Sequence, residues 1–112
     1  MVAAILRQVV GREDRAQKQN ALVGAFRQQI LRALAEGRWR FADHFCDKLL
    51  HEDPRNLEAW LLKGHLAWRQ FRDPQRALNC FRQVLILGGF ESSNDYVARA
   101  RTSLAQVLEQ LS

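Results

Sequence analysis

The sequence predicts an all-α protein built from antiparallel helix pairs, and three observations support this fold class. Apolar residues recur at helical spacing in one wide stripe per segment, as in amphipathic helices that pack on a core. Glycine and proline are scarce, with six and two residues out of 112, and hydrophobic residues make up 47% of the chain. The pattern of one helix pair also returns about 34 residues later. These features indicate a single domain with one core.

Residues 1–20 are predicted to form an N-terminal segment ahead of the helix pairs, helical or partly disordered. Residues 2–10 are apolar and are expected to form a short helix that ends at Gly11. Residues 11–20 are polar and highly charged, and composition leaves open whether they form a linker or the start of the next helix. A signal peptide is not expected, because no basic leader precedes the apolar run and no small-residue cleavage site follows it.

The first helix pair is predicted over residues 22–54. Its first helix runs over about residues 21–36 and ends at Gly37, where a left-handed cap is favoured. Its second helix runs over about residues 39–52 and stops before Pro54, because the residue that precedes a proline disfavours helical geometry. The residues expected to be buried are Leu22, Phe26, Ile30, Ala33 and Leu34 in the first helix and Phe41, Ala42, Phe45, Leu49 and Leu50 in the second.

The second helix pair is predicted over residues 57–89, with an apolar stripe along each helix. Asp73 can cap the second of these helices, and Pro74 occupies its first position, where a missing N–H costs nothing. Gly64 lies inside the first of them. Because a glycine there costs about 1 kcal/mol relative to alanine, it indicates the close approach of another helix.

This second pair resembles the tetratricopeptide repeat (TPR), a pattern of about 34 residues with Trp-x2-Leu-Gly-x2-Tyr, then Ala-x3-Phe, then Pro. The matching residues are Trp60, Gly64, Ala77 and Phe81. The departures are Lys63 for the leucine, Ala67 for the tyrosine and Gly89 near the place of the closing proline.

The first helix pair is in register with the second. Phe26 precedes Trp60 by 34 positions, whereas Ala42 precedes Ala77 by 35. The turn over residues 70–76 is therefore expected to be one residue longer than the corresponding turn of the first pair.

The resemblance covers residues 22–111 and implies a short right-handed solenoid of antiparallel helix pairs, so residues 21–111 are predicted to form a TPR-like domain. The last helix, over about residues 95–110, has no partner helix, and such helices cover the apolar edge of a solenoid. The residues that share its apolar face are Val97, Ala100, Leu104, Val107, Leu108 and Leu111.

The residues do not suggest an enzyme, a cofactor or a metal site. The three histidines and two cysteines have no metal-ligand spacing, and the sequence contains no glycine-rich phosphate loop and no serine elbow. Cys46 and Cys80 fit no disulfide framework, which favours a reduced compartment, and a cytoplasmic location is expected. No stretch is long and apolar enough to span a bilayer.

In the tetratricopeptide family the first helix of each unit lines a concave groove. The resemblance therefore implies a groove lined by Arg27, Leu31, Leu34 and Ala35 from the first unit and by Glu58, Leu61, His65, Trp68 and Arg69 from the second. We expect an apolar floor with Trp68 at its centre and arginines at the rim. Exposed apolar strips of this kind mark contact sites, so the predicted function is a small adaptor or chaperone-like module. It would bind a helical or extended segment of another protein.

Several alternatives stay open from the residues alone. Leu31, Leu34, Leu61 and Trp68 can be core residues, the apolar residues Val2, Ile5, Leu6, Val9 and Val10 can fill the groove, or the groove can serve self-association into a homo-oligomer. The net charge of +5 also allows binding to RNA or an anionic surface. The arginines that would serve it are Arg27, Arg32, Arg38, Arg40 and Arg69. Because the basic residues are scattered rather than clustered, nucleic acid is the less favoured partner.

Overall fold

Five α-helices follow one another along the chain, and no strand occurs between residues 2 and 112. The structure is a computed structural model that describes the backbone of residues 2–112 and the side chains of residues 14–112. The helices are α1 (Val2–Ala35), α2 (Trp39–Glu52), α3 (Leu57–His65, continued by a π-helical turn over Leu66–Gln70), α4 (Pro74–Gly88) and α5 (Asp95–Leu111). The predicted all-α class is confirmed.

Helix α1 is longer than the sequence predicts. It runs without a break from Val2 through Gly11 and Gly24 to Ala35, so the expectation that a first helix ends at Gly11 is wrong. A glycine inside a helix costs only about 1 kcal/mol, and the arginine, glutamine, glutamate and alanine residues that follow Gly11 favour helix enough to offset it. The polar stretch at residues 11–20 is therefore part of a helix and not a linker.

Neighbouring helices along the chain are antiparallel. The Gln19 side chain of α1 donates to the Glu52 carbonyl at the far end of α2. In the second pair, a Cβ atom on Gly88 at the end of α4 would lie 3.1 Å from Leu57 at the start of α3. Helices α3 and α5 are consequently parallel neighbours, and their side chains meet at both ends of the shared seam.

The largest part of the core lies between α3, α4 and α5. Phe81 of α4 is fully buried, and Val97 and Val107 of α5 pack in the same cluster. A Cβ atom on Gly64 would lie 2.5 Å from Cε1 of the Phe81 ring, which confirms the close helix approach that this glycine indicates. The packing of α5 on α4 fixes the position of α5 beside α3. The two helices α3 and α5 therefore share one surface of the molecule.

The predicted caps of α1 and α4 are present. The Asp73 carboxylate accepts from the Arg76 N–H at 3.1 Å, and Pro74 begins α4. Gly37 has a φ of 70°, the left-handed conformation expected of a residue that follows a helix C-terminus. Asn94 caps the N-terminus of α5, and its side chain accepts from the Tyr96 N–H at 2.8 Å.

The extra residue of the second turn is accommodated at the end of α3. The Phe71 N–H donates to the Leu66 carbonyl at 3.0 Å, a bond across five residues that characterises a π-helical turn. Arg72 then adopts a φ of 52°. Among the residues that the structure describes, no other non-glycine residue has a positive φ. Arg72 takes the place that Gly37 occupies in the first pair.

Lys63 replaces the leucine of the repeat pattern and is buried, with 7% of its surface exposed. Its ammonium lies 2.6 Å from Asp47 Oδ1 and 3.1 Å from Asp43 Oδ1, both on α2. Burial lowers the pKa of Lys63, but the hydrogen bonds that its ammonium donates to Asp47 and Asp43 outweigh this effect, and the pKa is raised. Helices α2 and α3 are therefore joined by a charge cluster in which Lys63 is buried and Asp47 is exposed.

Candidate functional site

The surface between α3 and α5 carries three open depressions that adjoin each other. Their volumes are about 300, 400 and 610 Å³. The first two share Arg99 and the last two share Arg69, so the three form one continuous feature, which we call the α3–α5 trough. Its main lining residues are Glu58, Tyr96, Arg99, His65, Arg69, Thr102, Gln106, Trp68, Arg72 and Gln110.

At the end of the trough where α5 begins, one hydrogen-bond network joins three helices. Arg27 of α1 donates to both carboxylate oxygens of Glu58 on α3, at 2.7 and 3.3 Å. The Tyr96 hydroxyl of α5 donates to the same carboxylate at 3.0 Å. The hydrogen bonds from Arg27 and then Tyr96 lower the pKa of Glu58, although partial burial opposes them. The charge of Glu58 is therefore compensated within the protein.

We expect this network to stabilise the folded protein, and we expect that stabilisation to be lost at acidic pH. Because the pKa of Glu58 is lower in the folded state, its contribution is present above the unfolded glutamate pKa and is lost as pH falls through the folded value. Urea unfolding between pH 7 and pH 3 should show a decline in stability that is smaller in Glu58→Gln. An equal decline in both proteins would mean that the network does not contribute.

The middle of the trough is basic. His65 lies on α3 with its ring centroid 5.2 Å from that of Phe81, and Arg69 and Arg99 flank it from α3 and α5. Burial, and then the charges of these two arginines, lower the pKa of His65 below its ordinary value. His65 is therefore neutral at pH 7 and lies between two guanidinium groups.

The far end of the trough lies beside the π-helical turn. Trp68 is half-buried against the core, and its indole N–H donates to the side-chain oxygen of Gln110 at 2.9 Å. The Arg69 guanidinium lies 5.6 Å from the Trp68 ring centroid, within the range of a cation–π contact. Arg72 and Pro74 complete the wall. This end combines the flat indole of Trp68 and the proline ring of Pro74 with two guanidinium groups.

Charge changes sign along the trough. The carboxylates of Glu58 and Asp95 lie at the end where α5 begins, and Arg99, Arg69 and Arg72 follow toward the other end. Among the residues whose side chains the structure describes, these three arginines form no ion pair, whereas Arg27 and Arg76 do. Within residues 14–112, the positive charge over the middle and far end of the trough is therefore not compensated by an ion pair.

The predicted groove residues divide into two groups. Those that line the trough are Glu58, His65, Trp68 and Arg69, whereas Arg27 lies beside it and contacts Glu58. Leu61 belongs to the core with 4% of its surface exposed, and Leu34 is half-buried between two core clusters, so neither forms the expected apolar floor. Leu31 is 42% exposed but lies outside these depressions, and Ala35 is also exposed. The core alternative therefore holds for Leu61, and its expected place in the floor of the groove is wrong.

Sequence reasoning missed the residues that α5 contributes, because it treated that helix as a cover for the core. Tyr96, Arg99, Thr102 and Gln106 recur every three or four residues and so share one face of α5. This polar stripe, next to the apolar one, was the available signal. The alternative in which residues 2–10 fill the groove concerns side chains outside those that the structure describes.

The arginines proposed for binding an anionic surface are in part engaged. Arg27 pairs with Glu58, and Arg38 lies 3.7 Å from Glu36 and 5.4 Å from the Phe41 ring centroid. Arg32 and Arg40 are exposed. Only Arg69 of this set lies in the trough.

The described residues offer little for covalent or metal chemistry. Burial raises the pKa of Cys46 to about 12, and burial also raises the pKa of Cys80, so both thiols are protonated at neutral pH. From residue 14 onward no group of histidine, cysteine, aspartate and glutamate side chains has the geometry of a metal site. None of the helices, over the part of the chain that the structure describes, has the length and apolar character needed to cross a bilayer.

Comparisons with models of protein families, with curated proteins and with solved structures gave no significant match.

Proposed function

We propose that the protein is a small TPR-like adaptor or chaperone-like module that binds an extended, acidic segment of another protein in the α3–α5 trough. The observation that carries this proposal is the line of three arginines, Arg99, Arg69 and Arg72, without ion-pair partners among the described residues. Guanidinium groups bind carboxylates with paired, charge-assisted hydrogen bonds. The parallel packing of α3 and α5, with α4 behind them, supports the solenoid arrangement that the resemblance implies.

The dimensions favour an extended segment. Sixteen residues of α5, from Asp95 to Gln110, extend roughly 24 Å at 1.5 Å per residue. An extended chain covers that distance with about seven residues at roughly 3.3 Å each. An amphipathic helix would instead need a continuous apolar floor, and Leu61 is not available to provide one. The two buried thiols, which are unpaired, are the basis for proposing a cytoplasmic location.

Fluorescence anisotropy can test the proposal with three labelled octapeptides, (Glu-Ser)4, (Gln-Ser)4 and (Lys-Ser)4, at low ionic strength. We expect (Glu-Ser)4 to bind and the other two to bind at least tenfold more weakly. Arg69→Gln and Arg99→Gln should each weaken binding by about tenfold, the effect of losing one hydrogen bond to a charged group. Arg82→Gln, which removes an exposed arginine of α4 outside the trough, is the matched control and should leave binding unchanged.

Two results would contradict the proposal. Equal binding of (Glu-Ser)4 by the wild type and by both trough variants would place the interaction elsewhere. Tighter binding of a single-stranded RNA oligonucleotide than of any octapeptide, with a steep loss of affinity as salt rises, would instead favour nucleic acid.

Binding of the acidic segment should strengthen as pH falls, because His65 lies between the two arginines that the segment would neutralise. In the free protein Arg69 and Arg99 help to lower the pKa of His65, so bound carboxylates should raise it. Proton uptake on binding then increases affinity as pH falls from 7.5 toward 5.5, above the range in which the peptide glutamates titrate. His65→Gln should remove this dependence in the same anisotropy assay. A pH dependence that persists in the variant would assign it to another group.

A further inference from the structure

We propose that the far end of the trough, lined by Trp68, Arg69, Arg72, Pro74 and Gln110, binds an aryl phosphate. This pocket shares Arg69 with the rest of the trough. The inference therefore rests on the proposed function and identifies a phosphorylated tyrosine as the terminal side chain of the bound segment. A free aryl phosphate carries the same chemistry, and the experiment separates the two sources.

The walls of the pocket fit a flat ring. Trp68 is held in one orientation because its indole N–H donates to Gln110 at 2.9 Å and its inner face packs against the core. The ring of Pro74 is fixed at the first position of α4. The pocket has a volume of about 610 Å³ and is open to solvent, so an aromatic ring and an attached phosphate can enter together.

The charge of the pocket fits a phosphate better than a single carboxylate. A phosphorylated hydroxyl carries about −1.5 to −2 charges at pH 7 and three acceptor oxygens. Two guanidinium groups, those of Arg69 and Arg72, line the pocket, and none of the lining residues from position 14 onward is acidic. Neither arginine forms an ion pair within residues 14–112. Both are therefore available to an incoming dianion.

The backbone around the pocket is unusual in two independent ways. The π-helical turn over Leu66–Gln70 accommodates one more residue than the corresponding turn of the first helix pair, and such turns occur frequently at functional sites. Arg72 has a φ of 52°, a conformation that favours glycine, and the equivalent residue of the first pair is Gly37. The chain thus keeps an arginine where the backbone favours glycine, and this arginine lines the pocket.

The test follows the indole and backbone amide signals of Trp68 and Arg72 by ¹H–¹⁵N NMR during titration with phenyl phosphate, inorganic phosphate or phenol. Phenyl phosphate should bind at least tenfold more tightly than either of the other two. Arg72→Gly should weaken phenyl phosphate binding by about tenfold. The same variant should raise Tm, because glycine relieves the backbone strain, so the loss of binding cannot come from misfolding. Arg82→Gln should bind phenyl phosphate like the wild type.

Three outcomes would overturn the inference. Phenol could bind as tightly as phenyl phosphate, inorganic phosphate could bind as tightly as phenyl phosphate, or Arg72→Gly could bind phenyl phosphate with unchanged affinity.

If (Glu-Ser)4 binds but phenyl phosphate does not, the inference fails and the proposed function stands. If phenyl phosphate binds in an Arg72-dependent way but (Glu-Ser)4 does not, the pocket stands and the proposed trough fails. A phosphotyrosine octapeptide that binds more tightly than phenyl phosphate supports a partner side chain as the source, and equal binding overturns that assignment.

Discussion

Replacement of Gly64 by alanine is expected to destabilise the protein by about 2 kcal/mol, although alanine is the better helix former. The added Cβ atom would lie 2.5 Å from Cε1 and 2.7 Å from Cδ1 of Phe81, whose ring is fully buried. Either the ring must leave its position or α3 and α4 must separate, and both disturb the largest core cluster. Urea unfolding followed by circular dichroism measures the change directly.

Gly24 provides the matched control. It also lies inside a helix, but a Cβ atom there would meet nothing within 4 Å. Gly24→Ala should therefore raise stability by up to about 1 kcal/mol, the gain in helix propensity alone. If Gly64→Ala were also stabilising, α3 and α4 would not approach each other closely at this position, and the packing of Gly64 against Phe81 would be wrong.

Removal of the Lys63 ammonium should have an effect of similar size or larger. Lys63→Ala is expected to cost about 3 kcal/mol, because it leaves Asp43 in a partly buried position without its closest partner and also creates a cavity. Asp47 is 56% exposed and can be hydrated, which keeps the loss toward the low end of the range for buried pairs. Arg76, whose guanidinium lies 3.7 Å from Asp43, can compensate in part.

Lys63→Met separates charge from packing, since methionine fills much of the same volume. We expect Lys63→Met to cost about 2 kcal/mol, less than Lys63→Ala, because Asp43 still loses its closest partner while the cavity is largely avoided. The pKa of Lys63 is raised, so the contribution of the charge is present below the unfolded lysine pKa and is lost as pH rises through the folded value. Equal losses in the alanine and methionine variants at pH 7 would show that the ion pairs themselves stabilise the fold.

Features that depend on neighbouring residues could be predicted from the sequence. The caps at Gly37 and Asp73 and the start of α4 at Pro74 follow from local backbone chemistry, and the structure confirms them. The close approach at Gly64 was also predictable, since a glycine inside a helix needs a reason. The end predicted at Gly11 was wrong because one glycine is a weak barrier within a stretch of good helix formers.

Features that depend on which helices meet could not be predicted in the same way. Periodicity shows that Leu61 lies on an apolar face, but not that α4 and α5 bury this position. The contributions of Arg99 and Gln106 to the trough require α5 to lie parallel to α3, a long-range arrangement. The register of the two helix pairs revealed one extra residue in the second turn. It did not reveal that this residue produces a π-helical turn, or that an arginine, Arg72, adopts the left-handed conformation that Gly37 has in the first pair.

Charge reversal tests most directly whether Arg69 and Arg99 of the α3–α5 trough, which form no ion pair within residues 14–112, select an acidic segment. The affinities of (Glu-Ser)4 and (Lys-Ser)4 would be measured for the wild type and for a variant that combines Arg69→Glu and Arg99→Glu, with its fold checked by circular dichroism. We predict that the wild type prefers (Glu-Ser)4 and that the folded variant prefers (Lys-Ser)4. If the folded variant still prefers (Glu-Ser)4, the trough is not the binding surface.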